Sequence, residues 1–357
     1  MAACLLARVV PASLVHAVLD EHGCNTQRAR SFPAVAGVYF CVALSLYPDA
    51  GYEEVFAAVA QGLAWAGEPS VVAPVGKSSI SALRGRIGAA PLHDLVRRCC
   101  LPLANPRDHP QAFYVGLRLV AIGAGAFDLA DEAANAQEFG RPVGHDDGAA
   151  AGRPQARCAA LVECATQAIL AAGLGSCRES GRDLAASLLP RLEAGMLCVA
   201  GRAVNSFGSW RRAISMGADL LWQSGAHWKT PVERMLEDGS FLTTLDFSDL
   251  DRPSAEKQVF TARVVDCAPP GAVEAPPRKL LTTLLDPRQA PARDLATLHQ
   301  RHCAVESVFD GLQAGMPQRG RTLRSKTPEL VRQEFHGWVL AHYATRWLAS
   351  QRVEGAS

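Results

Sequence analysis

Three side chains near the carboxyl end have the types and spacing of a metal site. His299, His302 and Glu306 stand at i, i+3 and i+7, on one face of a helix. Imidazole and carboxylate together suit zinc or iron. No second ligand cluster completes a shell, so a polar helix face with two incidental histidines is the favoured reading. Lys77 in "PVGKSSIS" sits where a phosphate loop has its lysine, but the Gly-x-x-x-x-Gly-Lys spacing is missing and no strand precedes it. "GAGAFD", residues 123–128, lacks the spacing of a dinucleotide fingerprint and does not lead into a helix. Glu163 in "LVECAT" lies mid-strand among apolar neighbours. It is either a buried, paired carboxylate or the edge of a site, the first being the commoner case.

The elements that must position these groups follow from the apolar pattern. With 357 residues and a formal charge of +1, the chain has enough material for two or three domains and a sizeable core. The first hundred residues read as helical. "PASLVHAVLDEHG" ends on Gly23 as a C-cap, "AVAGVYFCVALSLY" at 34–47 is a buried helix too short to span a bilayer, and 78–100 holds two more helical patterns. Arg84, Arg86, Arg97 and Arg98 decorate those last helices, and from residue types alone a solvated face is favoured over a DNA contact. No signal peptide is expected from "MAACLLARVVPAS". The eleven cysteines include no C-x-x-C, which speaks against a disulfide framework or zinc ribbon and for a cytoplasmic protein.

Three prolines in "LPLANPRDHPQ", 101–111, mark a boundary. Strands are expected at 113–122, 157–165 and 168–176, then a helix at 180–192, a strand at 196–201, a helix near 206–216 and a strand "DLLWQS". This order gives an α/β fold with a mixed sheet. Residues 226–287 are β-rich, with Asp238-Gly239 as a hairpin signal, and read as an insertion. Helices return at 291–315, and Thr327-Pro328 makes an N-cap and first-turn pair for a final helix. One stretch is anomalous. "LRLVAIGAGAFDLAD", 117–131, reads as a strand that runs out at a Gly-Ala-Gly tip and delivers no chemical group there.

Whole phrases account for it. "FYVGLRLVAIGAGAFDLADEAANAQEFGRP", "PQARCAALVECATQAILAAGLG", "MLCVAGRAVNSFGSWRRA", "RKLLTTLLDP" and "LRSKTPELVRQEFHGWVLAHYA" resemble the bacterial insertion-sequence transposases of the "insertion sequence four" group, from about Val10 to about Leu348. The resemblance implies a DDE transposase: a helical DNA-binding domain at 1–106, an RNase H-like mixed-sheet core begun at 107–225 and resumed with C-terminal helices at 288–357, and a β-rich insertion at 226–287. It implies phosphodiester hydrolysis and strand transfer at the terminal repeats of an element. Three carboxylates would hold two Mg²⁺ ions about 3.5–4 Å apart.

Carried over position by position, the resemblance puts the first Asp after Ala121-Ile122, where this chain has Gly123. The second falls between "LCVA" and Arg202, where it has Gly201. The third is the Glu of a Tyr-x-x-Arg-x-x-x-Glu-x-x-x-x-x-x-Lys helix, represented here by His299, His302, Glu306 and Gln313. Only Glu306 survives. Asp128 is an odd number of residues from Gly123 and would face the other side of the strand, and Asp131 lies beyond the glycines. The expectation is a transposase copy with little or no strand cleavage. The alternative is a non-catalytic DNA-binding or dimerising relative that interferes with intact copies. Arg84, Arg86, Arg202, Arg319, Arg321, Arg324 and Lys326 are the candidate phosphate contacts, with the element's DNA and a second copy of the chain as candidate partners.

Overall fold

A computed structural model describes residues 2–25, 33–65, 75–142, 152–201, 204, 206–225, 228–246, 259–267, 278–303 and 322–354. Six helices open the chain: α1 (Ala2–Val9), α2 (Ala12–Glu21), α3 (Ala34–Ala43), α4 (Tyr52–Trp65), α5 (Lys77–Ile87) and α6 (Ala90–Cys99). Helix α2 stops at Gly23, whose φ of +64° is open to glycine at little cost. Every residue of α3 is buried, as its unbroken apolar run requires.

One sheet follows. Its strands are β1 (Phe113–Tyr114), β2 (Leu117–Leu129), β3 (Gln155–Glu163), β4 (Ile169–Ser176), β5 (Met196–Ala200), β6 (Asp219–Gln223), β7 (Arg234–Met235), β8 (Phe241–Asp246), β9 (Val259–Cys267), β10 (Arg278–Thr282) and β11 (Thr322–Leu323). They run in the order β4-β3-β2-β5-β6-β10-β9-β8-β7, with β1 and β11 also on β2. Strands β4, β3 and β2 form an antiparallel meander, β2, β5 and β6 are parallel, and β10 back to β7 are antiparallel again. The β-rich segment therefore widens the same sheet. Its hairpin turn falls at Asp238-Gly239, where Gly239 has a φ of +83°.

The remaining helices are α7 (Ala133–Phe139), α8 (Gly181–Ala186), α9 (Phe207–Ser215), α10 (Ala292–Cys303) and α11 (Pro328–Glu354). Helix α8 is shorter than the expected 180–192 because Pro190 enters a separate 3-10 turn at Leu189–Arg191. One sheet face packs on α8 and α9 through Val120, Ile122, Leu188, Cys198, Trp210 and Trp222. The other face carries α10 over Leu119, Ala121, Val199 and Leu221. Beside it lies α11, whose Phe335 and Trp338 meet Phe127 at ring-centroid distances of 5.9 and 5.1 Å. The nine cysteines whose side chains are described are free, and burial raises the thiols of Cys41 and Cys198 to about 11 and 12. No described helix is long and apolar enough to cross a membrane.

Helix α11 is enclosed from both sides: the sheet lies against one flank and α1, α3 and α6 against the other. Residues 333–344 are all buried. Gly337 makes this possible, since a Cβ there would stand 2.5 Å from the Cys41 carbonyl oxygen of α3. The polar residues of α11 are matched inside the core. Gln333 Nε2 donates to the carbonyls of Arg84 (2.9 Å) and Gly88 (2.7 Å), and Arg84 Nε donates back to Gln333 Oε1 at 2.8 Å. Glu334 accepts from the backbone of Arg324 and Ser325 and from the Ser325 hydroxyl.

Two histidines of α11 are the exception. His336 and His342 are buried, and the Nδ1 of each has no partner among the described residues. Burial lowers both to about 3, helped by His93 and Arg332 at His336 and by Arg346 at His342. The unfolded chain takes up these protons near the ordinary value of 6.5, the folded chain only near 3. Stability should therefore fall as the pH drops below 6.5. Urea unfolding at pH 7.5 and 5 should show this loss, and the His336→Gln/His342→Gln double variant should show much less of it.

Candidate functional site

The parallel ladder of β2 and β5 pairs Arg118 with Met196, Leu119 with Leu197, Val120 with Cys198 and Ala121 with Val199. The ladder ends there; continued two residues further, the same register would match Gly123 with Gly201. The next strand continues the row, because Ala200 pairs with Trp222 and the following residue of β6 is the buried Gln223. Ala121, Val199 and Leu221 belong to the cluster beneath α10, so by alternation a side chain at 123 or 201 would leave the sheet on that face.

Gly123 is not at a strand end. Strand β2 runs on through Gly123-Ala124-Gly125 to Leu129, because β3 pairs with it without interruption from Val120 to Asp128 and β11 adds a partner at Asp128 and Leu129. Tertiary pairing overrides the poor strand preference of glycine and alanine. What ends near Gly123 is the pairing with β5, so the apparent tip is a fork where one neighbour is lost.

Helix α10 is fastened over this row by the β-rich segment. Asp238, in the turn before β8, accepts the Ala292 N–H at the first turn of α10 (2.8 Å) and pairs with the buried Arg263 of β9. Arg263 in turn donates to the Ala290 carbonyl (2.7 Å) and the Ser240 hydroxyl (2.8 Å). The anchor sets how α10 lies on β5. His299 is buried, with Nε2 3.3 Å from the Ala200 carbonyl oxygen, next to Gly201. A carbonyl only accepts, so this nitrogen carries the proton and offers a metal no lone pair there. Burial lowers the pKa of His299 and of the half-buried His302. Glu306 and Gln313 lie outside the described residues.

The cation candidates separate. Arg84 is buried at 1% exposure, and its guanidinium donates to Gln333, the Tyr52 hydroxyl, the Ser325 hydroxyl and the Leu330 carbonyl. It is a core residue and cannot contact DNA. Arg324 is also turned inward, donating to the carbonyls of Pro48 and Ala50 and stacking over Tyr52. Both corrections have one cause: these guanidiniums satisfy backbone and side-chain acceptors where the amino-terminal helices meet α11. Arg86 is exposed, and Lys326 is exposed and paired with Glu132. Arg202, Arg319 and Arg321 lie outside the described residues.

The other acids are structural. Glu163 is fully buried, pairs with Arg118 and accepts the N–H groups of Leu103 and Ala104. Asp128 accepts from Gln155, and Asp131 pairs with Arg141. Sequence reasoning missed Gln223 and the Asp238–Arg263 anchor. The Asp-Gly turn was visible, but its partner in α10 lies 54 residues away.

Asp238→Ala removes the cap of α10 and leaves Arg263 without its counter-charge. The cost should be about 2–4 kcal/mol, read by urea unfolding. Burial pushes the Asp238 carboxyl up, but hydrogen bonds from Ser240 and Ala292 and the charge of Arg263 together hold it below the usual aspartate value. Its contribution is therefore complete above the ordinary carboxylate pKa and disappears as the pH falls through the lowered one.

Comparison with known proteins bears on the whole chain. A family model described as the insertion element 4 transposase N-terminal region matches residues 1–97. The transposase InsG for insertion sequence element IS4 of Escherichia coli strain K12 is 26% identical over 352 residues, spanning 96% of this chain and 75% of that protein. Among solved structures, a piggyBac transposase synaptic complex with hairpin DNA gives a TM-score of 0.46 at 9% identity, covering 98% of this chain and 73% of that one. The helical region thus matches the model for that part of an IS4 transposase, and the likeness to an IS4 transposase carries across nearly the full length of the chain.

Proposed function

We propose that this protein is a transposase by descent whose strand-cutting centre has been lost while its scaffold persists. In this reading β4-β3-β2-β5-β6 with its flanking helices is an RNase H-like core, begun at 107–225 and resumed at 288–357. The strands of 226–287 are the insertion, and 1–106 is the region that meets the DNA of the element's ends. The register of β2 against β5 carries the reading. Continued two residues beyond its last pair, that register matches Gly123 with Gly201 on the sheet face that α10 covers, and His299 and His302 of the family pattern lie on α10.

The residues present do not fit the pair of Mg²⁺ ions that DDE chemistry uses. Glycine has no side-chain donor, so two of the three carboxylate positions offer nothing, and the Nε2 of His299 is committed to a backbone carbonyl. Two divalent ions about 3.5–4 Å apart need several shared anionic ligands. No group of three potential ligands occurs among the described residues. Replacement by Asp128 or Asp131 is not supported, since each is held by another side chain.

Cleavage of a plasmid carrying the element's ends, in Mg²⁺, tests this directly. The Gly123→Asp/Gly201→Asp double variant should cut and the unmodified chain should not. Cutting by the unmodified chain, abolished by Glu306→Ala, would show that other acids have taken over.

DNA binding does not need the acids, so the reading retains it. With Arg84 and Arg324 turned inward, the remaining candidates are Arg86, Lys326, Arg202, Arg319 and Arg321. In filter binding to the element's ends, log K should fall with log salt by roughly 0.9 per phosphate contact. An absence of affinity even at low salt would end this part of the proposal.

A further inference from the structure

A cavity of about 450 Å³ lies between α6 and the edge strand β4. Its floor is apolar: Val96, Leu170, Ala171, Ala172 and Leu188 are all buried. Its polar lining is Arg97, Arg191, Ser187 and His93, with no acid among them; burial and the charge of Arg97 lower the pKa of His93, so the two guanidiniums carry the positive charge. Neither guanidinium makes a hydrogen bond or ion pair among the described residues. This is unlike their neighbours on the same surface, where Arg98 is taken up by Glu21 and Asp94. Asp94, one residue from His93, is also held by His22 and is not available to neutralise the cavity.

Ligand pockets of this size class pair an apolar floor with a few convergent polar groups. Two unpaired guanidiniums at one mouth match a phosphate, whose oxygens can accept bidentate N–H donation. The floor then favours an ester with a flat or apolar organic part over the bare anion. Small residues at the edge strand leave the room for it: Gly173 lines the cavity beside Ala171 and Ala172. A Cβ at 173 would stand 3.1 Å from Leu184.

We propose that this cavity binds a phosphate ester of about mononucleotide size through Arg97 and Arg191, with the organic part against Leu170 and Leu188. The phosphate could belong to a free nucleotide or to a nucleotide within DNA, and the experiment separates the two. Neither arginine belongs to the carboxylate positions, so the proposal stands or falls independently of the loss of cleavage.

Calorimetric titration of the full chain with thymidine monophosphate, and separately with inorganic phosphate, tests it. Thymidine monophosphate should bind more tightly than inorganic phosphate. Arg97→Gln and Arg191→Gln should each weaken it about tenfold or more, the size of a charge-assisted hydrogen bond. Both residues are exposed, so both variants should keep the wild-type unfolding curve. Displacement of the bound nucleotide by a short duplex identifies DNA as the source of the phosphate, whereas retention identifies the free ester. No binding of thymidine monophosphate, or binding unchanged in both variants, overturns the proposal.

Discussion

The structure turns on a helix that has no free side. Helix α11 lies between the sheet and the amino-terminal helices, and its close contact with α3 is set by Gly337 against a backbone carbonyl. A helix enclosed in this way is ordinarily apolar all round. This one carries Gln333 and Glu334 into the core, and both are fully used. The mutual bonds of Gln333 and Arg84 fix the rotation of α11 relative to α5, and Glu334 holds the chain at Arg324 and Ser325 just before the helix begins. Buried polar groups of this kind add little net stability when paired, but leaving one unpaired is costly. The arrangement therefore admits few alternatives. It settles where the amino-terminal helices sit on the sheet.

From there the constraint passes to the row at Gly123. The meander of β4, β3 and β2 is covered by α11, and the parallel strands β5 and β6 by α10, which is pinned at its first turn by Asp238. The two glycines fall where these two covers meet. Glycine at 123 costs the fold little. Strand β2 is still paired with β3 along its whole middle, and a glycine in a strand weakens it by only about 1 kcal/mol. Glycine at 123 is thus compatible with an intact sheet, because β3 holds β2 in place where the ladder with β5 has already ended.

Much of this was legible in the sequence, and the failures have definite causes. Helical periodicity identified the opening helices, and α3 announced itself by an unbroken apolar run. The alternation of strands and helices from 113 to 224 gave a mixed sheet, and the Asp-Gly turn fell where expected. The Gly-Ala-Gly stretch was misread as an end because local preference was weighed without the two strands that clamp it. Arg84 was assigned to a solvated face, yet it sits in the stripe Ile80, Leu83, Arg84, Ile87, whose spacing is that of a buried helix side. That signal was present. For Arg324, Arg263 and the Asp238 cap no local signal exists, since each is satisfied by groups far away along the chain.

The order in which the chain emerges from the ribosome gives the enclosure of α11 a further meaning. Helices α1 to α6 are made first, yet the helix that fills their core begins only at Pro328, more than two hundred residues after Cys99. Their final packing must wait for the last part of synthesis, and contacts of such long separation form slowly. A nonsense codon or frameshift anywhere upstream of Pro328 would strip the amino-terminal helices of their shared core as well as removing the carboxyl end. Copies of such an element can decay by substitution and still leave a folded protein. Decay by truncation leaves none.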